Sequence, residues 1–181
     1  MSKIVFDIET VGADFDALEE TSRAYFLKFA DTEQKIEDVK NSMSFYPVTA
    51  QVVTIGMLDI ETNKSFVFFQ NGGTKEKFQE GDVTYVSGSE KEILGHFWHL
   101  MEKASVFITF NGRTFDCPFL MLRSAMNKVR ATKNLVPYRY DAKLHVDLCD
   151  QLTFYDAMRR RFSLDMWCKA FDIKRDRKSV V

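Results

Sequence analysis

The chain has 181 residues, of which 45% are hydrophobic and 17 are phenylalanine, which is enough for a domain with a substantial buried core. No run of 18 apolar residues occurs and the N-terminus leads directly into a strand, so we expect neither a transmembrane helix nor a signal peptide. Three cysteines without metal-type spacing favour the reducing cytoplasm, and the net charge of −1 is not that of a general nucleic-acid binder.

The first half of the chain begins with a short apolar segment and continues with a long polar region of helical spacing. Two apolar runs separated by a polar turn then predict a β-hairpin. Glycine-rich segments after the hairpin predict irregular structure. The predicted elements of this half are a strand at 3–8, a helical region at 14–44, strands at 51–60 and 65–70, and irregular segments at 71–73 and 81–88.

The second half alternates helical and extended patterns. Together with the early hairpin, this order predicts a mixed sheet flanked by helices. The pattern alone does not choose among α/β arrangements. The predicted elements of this half are helices at 90–103, 117–129 and 164–171, and strands at 104–110 and 144–148.

Charged residues are distributed unevenly along the chain. Residues 7–45 are rich in Asp and Glu, whereas residues 123–143 contain six Lys or Arg and one Asp. The run Arg159-Arg160-Arg161 and residues 174–178 extend the basic character. These clusters indicate either a local basic groove for a few nucleotides or solvated helix faces, and both interpretations stay open.

Two acidic motifs, about a hundred residues apart, carry the strongest chemical signal. Asp7 and Glu9 stand two residues apart in the first apolar strand, so their side chains share one face. A carboxylate pair in a hydrophobic strand is costly unless a charge neutralises it, and a divalent cation does this with oxygen ligands. Asp116 follows a second apolar strand and could complete the site. This pattern predicts the metal centre of a phosphodiester-cleaving enzyme.

The same motifs support a resemblance to a known superfamily. Phe6-Asp7-Ile8-Glu9-Thr10, followed by a segment with Asn111, Asp116 and Pro118, resembles the first and second motifs of the DEDD 3′→5′ exonucleases. The nearest similarity is to the bacterial stand-alone exonucleases related to the proofreading domain of family B DNA polymerases. Shorter similarities lie at Tyr46-Pro47, 52–56, 145–148 and 162–165.

The resemblance implies a ribonuclease-H-like α/β fold and hydrolysis of single-stranded DNA at its 3′ end by two Mg²⁺ or Mn²⁺ ions. It implies that Asp7 bridges both ions, that Glu9 binds the ion carrying the water, and that Asp116 holds the other ion. It further implies that Asn111 and the backbone of Thr10 contact the substrate.

The third motif of this family, Tyr-x3-Asp on a C-terminal helix, does not occur among the 181 residues. We therefore expect residues 1–181 to form one exonuclease-like domain that is C-terminally incomplete, with residues 174–181 as a basic, loop-like end. His145 and Asp150 match the His-x4-Asp spacing of another DEDD branch, and Asp147 is a possible substitute ligand. We disfavour His145 and Asp150 because residues 145–148 resemble a strand that lies upstream of the third motif. We disfavour Asp147 because a carboxylate at the end of a strand more often makes hydrogen bonds.

Two alternatives to a DNA exonuclease remain on the sequence alone. One is a catalytically impaired remnant or nucleic-acid-binding module on the same fold, and the other is an exoribonuclease, because no contact to a 2′-hydroxyl can be identified. Protein partners are not indicated.

Asp59-Ile60-Glu61-Thr62 repeats the first motif letter for letter. Because it lies at the end of a strand before a polar turn, we expect solvated carboxylates there rather than metal ligands. His96 and His99 stand three apart on a predicted helix, but no Cys or His lies near them in sequence, so we do not expect zinc.

Overall fold

One sheet of seven strands organises residues 2–174, the part of the chain that the computed structural model describes. The strand order is β4-β5-β3-β2-β1-β6-β7. The interior strand β1 pairs antiparallel with β2 and parallel with β6, so the sheet is mixed. The strands are β1 (Ser2–Gly12), β2 (Ala50–Asp59), β3 (Lys64–Phe69), β4 (Lys77–Glu80), β5 (Val83–Ser87), β6 (Ala104–Thr109) and β7 (His145–Asp147).

Helices connect and flank these strands. Two short 3-10 helices, Phe15–Ala17 and Met43–Phe45, accompany the helical region between β1 and β2. The α-helices are α1 (Glu20–Leu27), α2 (Glu33–Asn41), α3 (Glu90–Lys103), α4 (Asp116–Met126), α5 (Leu148–Leu152) and α6 (Leu164–Ala170).

The core lies between one face of the sheet and the helices α3 and α4. A capping box between Ser89 and Glu92 starts α3, because each side chain pairs with a backbone N–H that the helix leaves free. Phe97 of this helix meets Phe6 of β1 edge-on with ring centroids 5.2 Å apart. Burying an aromatic side chain of this kind stabilises the fold by roughly 1.5–3 kcal/mol. The fully buried side chains of α3 are Ile93, Leu94, Phe97, Trp98 and Met101.

The opposite face of the sheet carries the odd-numbered side chains of β1. Alternation places Ile4, Phe6 and Ile8 in the core, so Asp7 and Glu9 point away from it. A shallow groove on this face runs from Asp7 across the neighbouring strands. Its lining includes Val5, Leu58, Val67 and Tyr85.

The mixed sheet with flanking helices is consistent with the predicted ribonuclease-H-like α/β fold. Helix α3 has the predicted bounds, and β2 and β3 form the predicted hairpin. The region at 14–44 is helical as predicted, divided into several short helices. One local prediction was wrong: the irregular segment at 81–88 contains β5, which pairs with β4 across a turn at left-handed Gly81. All four residues of β4 are exposed, so its sequence has no apolar alternation that would predict a strand.

The described residues end at Lys174, so most of the predicted basic, loop-like end at 174–181 lies outside them. Within residues 2–174 no helix combines the length and the apolar character that crossing a membrane requires.

Candidate active site

Asp7 lies in the interior strand β1, just beyond the point where its pairing with β6 ends. The parallel pairing of β1 with β6 ends at Val5 opposite Ile108. Beyond that point the backbone N–H of Ile8 donates instead to Asp116 Oδ1, at 3.1 Å. The side chain of Asp116 therefore takes over where the ladder stops, and it ties the first motif to the second.

A sharp turn after β6 delivers Asp116. Asn111 has a left-handed backbone with φ 62°, and the N–H of Cys117 donates to the carbonyl of Gly112 at 2.8 Å. A Cβ atom at Gly112 would lie 2.5 Å from the side chain of Thr109, so glycine is required by the close approach of the two segments. Asp116 then begins α4 and is 4% exposed.

Burial raises the pKa of both carboxyl groups. The pKa of Asp116 is raised to about 7, first by burial and then by the charge of Asp7. Asp7 is exposed as a residue, but enclosure of its carboxyl group raises its pKa too, against a hydrogen bond with Asp116 that lowers it. Two like charges this close favour sharing one proton at neutral pH.

The two carboxyl groups of this pair are suitable ligands for a hard divalent cation. A cation would remove the repulsion that otherwise keeps a proton on the pair, and carboxylate oxygens are the ligands that Mg²⁺ and Mn²⁺ prefer. Among residues 2–174, however, no three His, Cys, Asp or Glu side chains are grouped so that they could hold one ion. Glu9 shares the face of Asp7, but it does not form such a group with the pair.

The two residues expected to contact substrate lie at the ends of these motifs. Thr10 follows a bulge in β1, and its hydroxyl donates to the carbonyl of Ser44 at 2.8 Å, which ties β1 to the 3-10 helix Met43–Phe45. Asn111 lies at the start of the turn that leads to Asp116, and Thr114 donates to its side-chain oxygen at 2.9 Å.

The second copy of the first motif lies away from this pair. Asp59 pairs with Ile4, at the opposite end of β1 from Glu9. Its carboxylate accepts from the Ser2 hydroxyl at 3.1 Å and from the N–H of Glu61 at 3.0 Å. Glu61 forms an exposed ion pair with Lys3 at 3.0 Å. Both carboxylates thus have partners at the surface and need no metal.

The candidates for a third motif are engaged in structural contacts. Asp147 accepts from the N–H groups of Asn111, Arg113 and Cys149, each at 2.9 Å, and thereby holds the turn of the second motif. Buried Asp150 receives two hydrogen bonds from Arg139, at 3.0 and 2.6 Å.

His145 is 2% exposed, lies 2.8 Å from the Thr109 hydroxyl through Nε2, and stacks on Phe107 with ring centroids 4.4 Å apart. Burial is the main reason that its pKa falls to about 4, so the ring is neutral at pH 7. Burial also raises the pKa of Cys117 and of Cys149, as expected of core thiols.

Sequence reasoning missed a cluster of arginines and carboxylates beside Asn111. Arg139 and Arg161 both bind Asp156, and Arg161 also donates to the side-chain oxygen of Asn111 at 2.9 Å. The run Arg159-Arg160-Arg161 signalled only basic character. No local pattern distinguishes Arg161 from its two neighbours.

Comparison with known proteins gives a family match over residues 44–174. The matching model describes predicted 3′-5′ exonucleases related to the exonuclease domain of PolB. It covers the second motif and its turn, but not Asp7 and Glu9, which lie before residue 44. No curated protein matches the sequence significantly.

Proposed function

Because this chain belongs to the family of predicted 3′-5′ exonucleases related to the exonuclease domain of PolB, we propose that it removes nucleotides from the 3′ end of single-stranded DNA. The reaction is hydrolysis of the terminal phosphodiester bond, with Mg²⁺ or Mn²⁺ as cofactor. A two-metal mechanism suits it, since such sites stabilise both the attacking and the leaving oxygen.

One observation carries the proposal. Asp7 and Asp116, 109 positions apart in sequence, bring their carboxyl groups into contact, and Asp116 also accepts from the N–H of Ile8. Two like charges that are buried or half-enclosed destabilise a fold unless an opposite charge neutralises them. A bound divalent cation is the neutralising charge that agrees with both the carboxylate chemistry and the family match.

In the proposed site Asp7 and Asp116 hold the cation, and Glu9 joins them from the same face of β1. A cation bound there would supply an activated water and would stabilise developing negative charge on the phosphate oxygens. Asn111 donates hydrogen bonds to the terminal nucleotide, and Thr10 contacts it through the backbone. The buried setting of Asp116 strengthens these electrostatic interactions because little water screens them.

The test is digestion of a 3′-labelled single-stranded oligonucleotide with Mn²⁺ or Mg²⁺. We expect release of labelled mononucleotide. In Asp7→Asn and in Asp116→Ala the rate of this release should fall by at least about 10²-fold. Asp59→Asn is the matched control, because it changes the same residue in the same four-letter context. Loss of activity in Asp59→Asn, with Asp7→Asn unaffected, would contradict the proposed site.

Digestions of DNA and RNA side by side decide which nucleic acid is the substrate. We expect DNA to be digested faster than RNA of the same sequence, and an oligonucleotide blocked at its 3′ end to resist digestion. Faster digestion of RNA would make the chain an exoribonuclease.

A second candidate is a nucleic-acid-binding module with impaired catalysis. The specific support is that Asp147 and Asp150, which could have supplied a fourth ligand, are already occupied by backbone N–H groups and by arginine. This function predicts binding of a fluorescent single strand in the absence of any cleavage. Fluorescence anisotropy in Ca²⁺ and digestion in Mn²⁺ on one sample separate the two candidates.

A further inference from the structure

The side-chain amide of Asn111 is held in one orientation by two donors. Its oxygen accepts from the Thr114 hydroxyl and from Arg161 Nη1, both at 2.9 Å. The Thr114 hydroxyl can instead donate its single proton to the Asn111 backbone carbonyl at 3.0 Å, but Arg161 can only donate, so a half-turn of the amide would set an N–H group against its N–H and is excluded. The nitrogen of the amide is then left with two N–H bonds that face no partner within residues 2–174.

Arg161 is itself clamped. Its guanidinium donates to both carboxylate oxygens of Asp156, at 2.8 and 3.0 Å, in the two-pronged geometry that arginine alone can adopt. Arg139 binds the same Asp156 at 2.6 Å and joins it to buried Asp150. Hydrogen bonds from Arg161 and then from Arg139 lower the pKa of Asp156 to about 2, so its carboxylate stays charged.

The backbone that presents Asp156 is unusual. Phe154, Tyr155 and Asp156 are three successive non-glycine residues in the left-handed region, with φ of 51°, 56° and 70°. Each such residue is strained, because its Cβ approaches the neighbouring carbonyl oxygen. Strain of this kind persists only where surrounding contacts outweigh it, and it is concentrated at functional sites. Here the turn brings Asp156 to Arg161.

We propose that Arg161 is a positioning residue that fixes the Asn111 amide so that both of its N–H donors are available to the phosphate or sugar oxygens of the 3′-terminal nucleotide. The proposal rests on the exonuclease function proposed above, and it adds Arg161 and its clamp Asp156 to the residues that serve the site. Arg161 acts through Asn111 and does not touch the reacting atoms.

A double-mutant cycle on exonuclease activity tests the coupling. Asn111→Ala and Arg161→Ala are each expected to lower kcat/KM about tenfold, mainly through KM, because substrate contacts are lost. If Arg161 acts through Asn111, the double variant loses no more than Asn111→Ala alone. Arg159→Ala is the charge-matched control, since Arg159 is exposed and has no ion pair in the described part of the chain; its loss should stay below about twofold. If kcat/KM of the double variant fell about a hundredfold, the product of the two single losses, the proposal would be overturned.

A measurement without turnover separates this proposal from the function it rests on. The side-chain amide signals of Asn111 in a ¹⁵N-edited NMR spectrum can be assigned by their loss in Asn111→Ala. We expect them to shift or broaden in Arg161→Ala and to stay in place in Arg159→Ala. Unchanged signals in Arg161→Ala refute the positioning role even if the chain is an exonuclease. If the chain neither binds nor digests single strands, the proposed function fails, while these signals still decide whether Arg161 orients Asn111.

Discussion

At the scale of single residues, position in the sheet separates carboxylates that the sequence presents as equals. Asp7 and Asp59 occupy the same four-letter motif, but of the two only Asp7 meets another carboxyl group, that of buried Asp116. Asp59 has a serine hydroxyl and a backbone N–H instead. The electrostatic cost therefore falls on one copy alone, and a cation can relieve it only there.

A first prediction follows for metal binding. Mg²⁺ or Mn²⁺ should stabilise the folded state by about 2.7 kcal/mol at a hundred times Kd, because the cation binds the native carboxylates preferentially. In a thermal melt this corresponds to a rise in Tm of roughly 2–4 °C per kcal/mol for a chain of this size.

Asp7→Asn should remove most of this rise, and Asp59→Asn should leave it unchanged. A well-folded sample whose Tm ignores millimolar Mn²⁺ would argue against the metal site.

A second prediction concerns His145 and pH. Its pKa is about 4 in the folded protein and near 6.5 when unfolded, so the unfolded state binds the proton first as the pH falls. The free energy of unfolding should therefore decrease between about pH 6.5 and 4, by roughly 2–3 kcal/mol from this group.

Denaturant titrations at several pH values should show a weaker dependence in this window for His145→Gln. His99→Gln, on the exposed side of α3, serves as the control. His145→Gln also tests the disfavoured third motif. A stable His145→Gln protein that lost all exonuclease activity would show that His145 is catalytic.

At the scale of elements, the second motif depends on a contact from the neighbouring strand. Asp147 at the end of β7 accepts from the N–H groups of Asn111 and Arg113, and it also caps α5. Turn and helix are thus anchored by one carboxylate. An aspartate in this role resembles a metal ligand in sequence, because both stand at the end of a strand.

The third prediction separates these roles. Asp147→Ala should lower the free energy of unfolding by about 2–4 kcal/mol, since it leaves several N–H groups without an acceptor. Asp141→Ala, which removes a single exposed bond to the N–H of Lys143, should cost only about 0.5–1 kcal/mol. Chemical denaturation measures both. If Asp147→Ala kept its stability but lost the Mn²⁺ effect on Tm, Asp147 would be a ligand rather than an anchor.

At the scale of the whole molecule, the balance between catalysis and binding depends on groups that orient the attacking water. The 181 residues contain no Tyr-x3-Asp, and the carboxylates closest to that role are engaged elsewhere. The fold and the paired carboxyl groups support cation binding, but positioning of the water has no evident residue among those described.

The fourth prediction is therefore weak exonuclease activity for these 181 residues. Loss of a general base or positioning group lowers rates by about 10²–10⁴-fold, so turnover should lie below about 0.1 s⁻¹ when a typical value is near 10 s⁻¹. Single-turnover digestion with enzyme in excess measures it. Rapid digestion that Asp150→Asn abolishes, without loss of folding, would mean that Asp150 belongs to a working third motif.

The sequence by itself determined the elements whose signals are local. Alternation along β1, the apolar spacing of α3 and the polar turn between β2 and β3 all depend on neighbours a few residues away, so their periodicity could be read directly. Asp7, Glu9 and Asp116 could be nominated for the same reason, because each stands in a short motif of distinctive chemistry. The exposed strand β4 was not predicted, because a strand without a buried face has no apolar alternation in its sequence.

Only the tertiary structure decided which of these groups are neighbours. Contact between Asp7 and Asp116 depends on the registers of β1 and β6 and on the turn at Gly112, none of which is encoded within one short segment. Burial of His145 follows from the packing of β7 against β6 in the same way. The approach of Arg161 to Asn111, 50 residues apart in sequence, depends on the strained turn that includes Asp156. Such contacts arise from the path of the whole chain, and a local pattern carries no information about them.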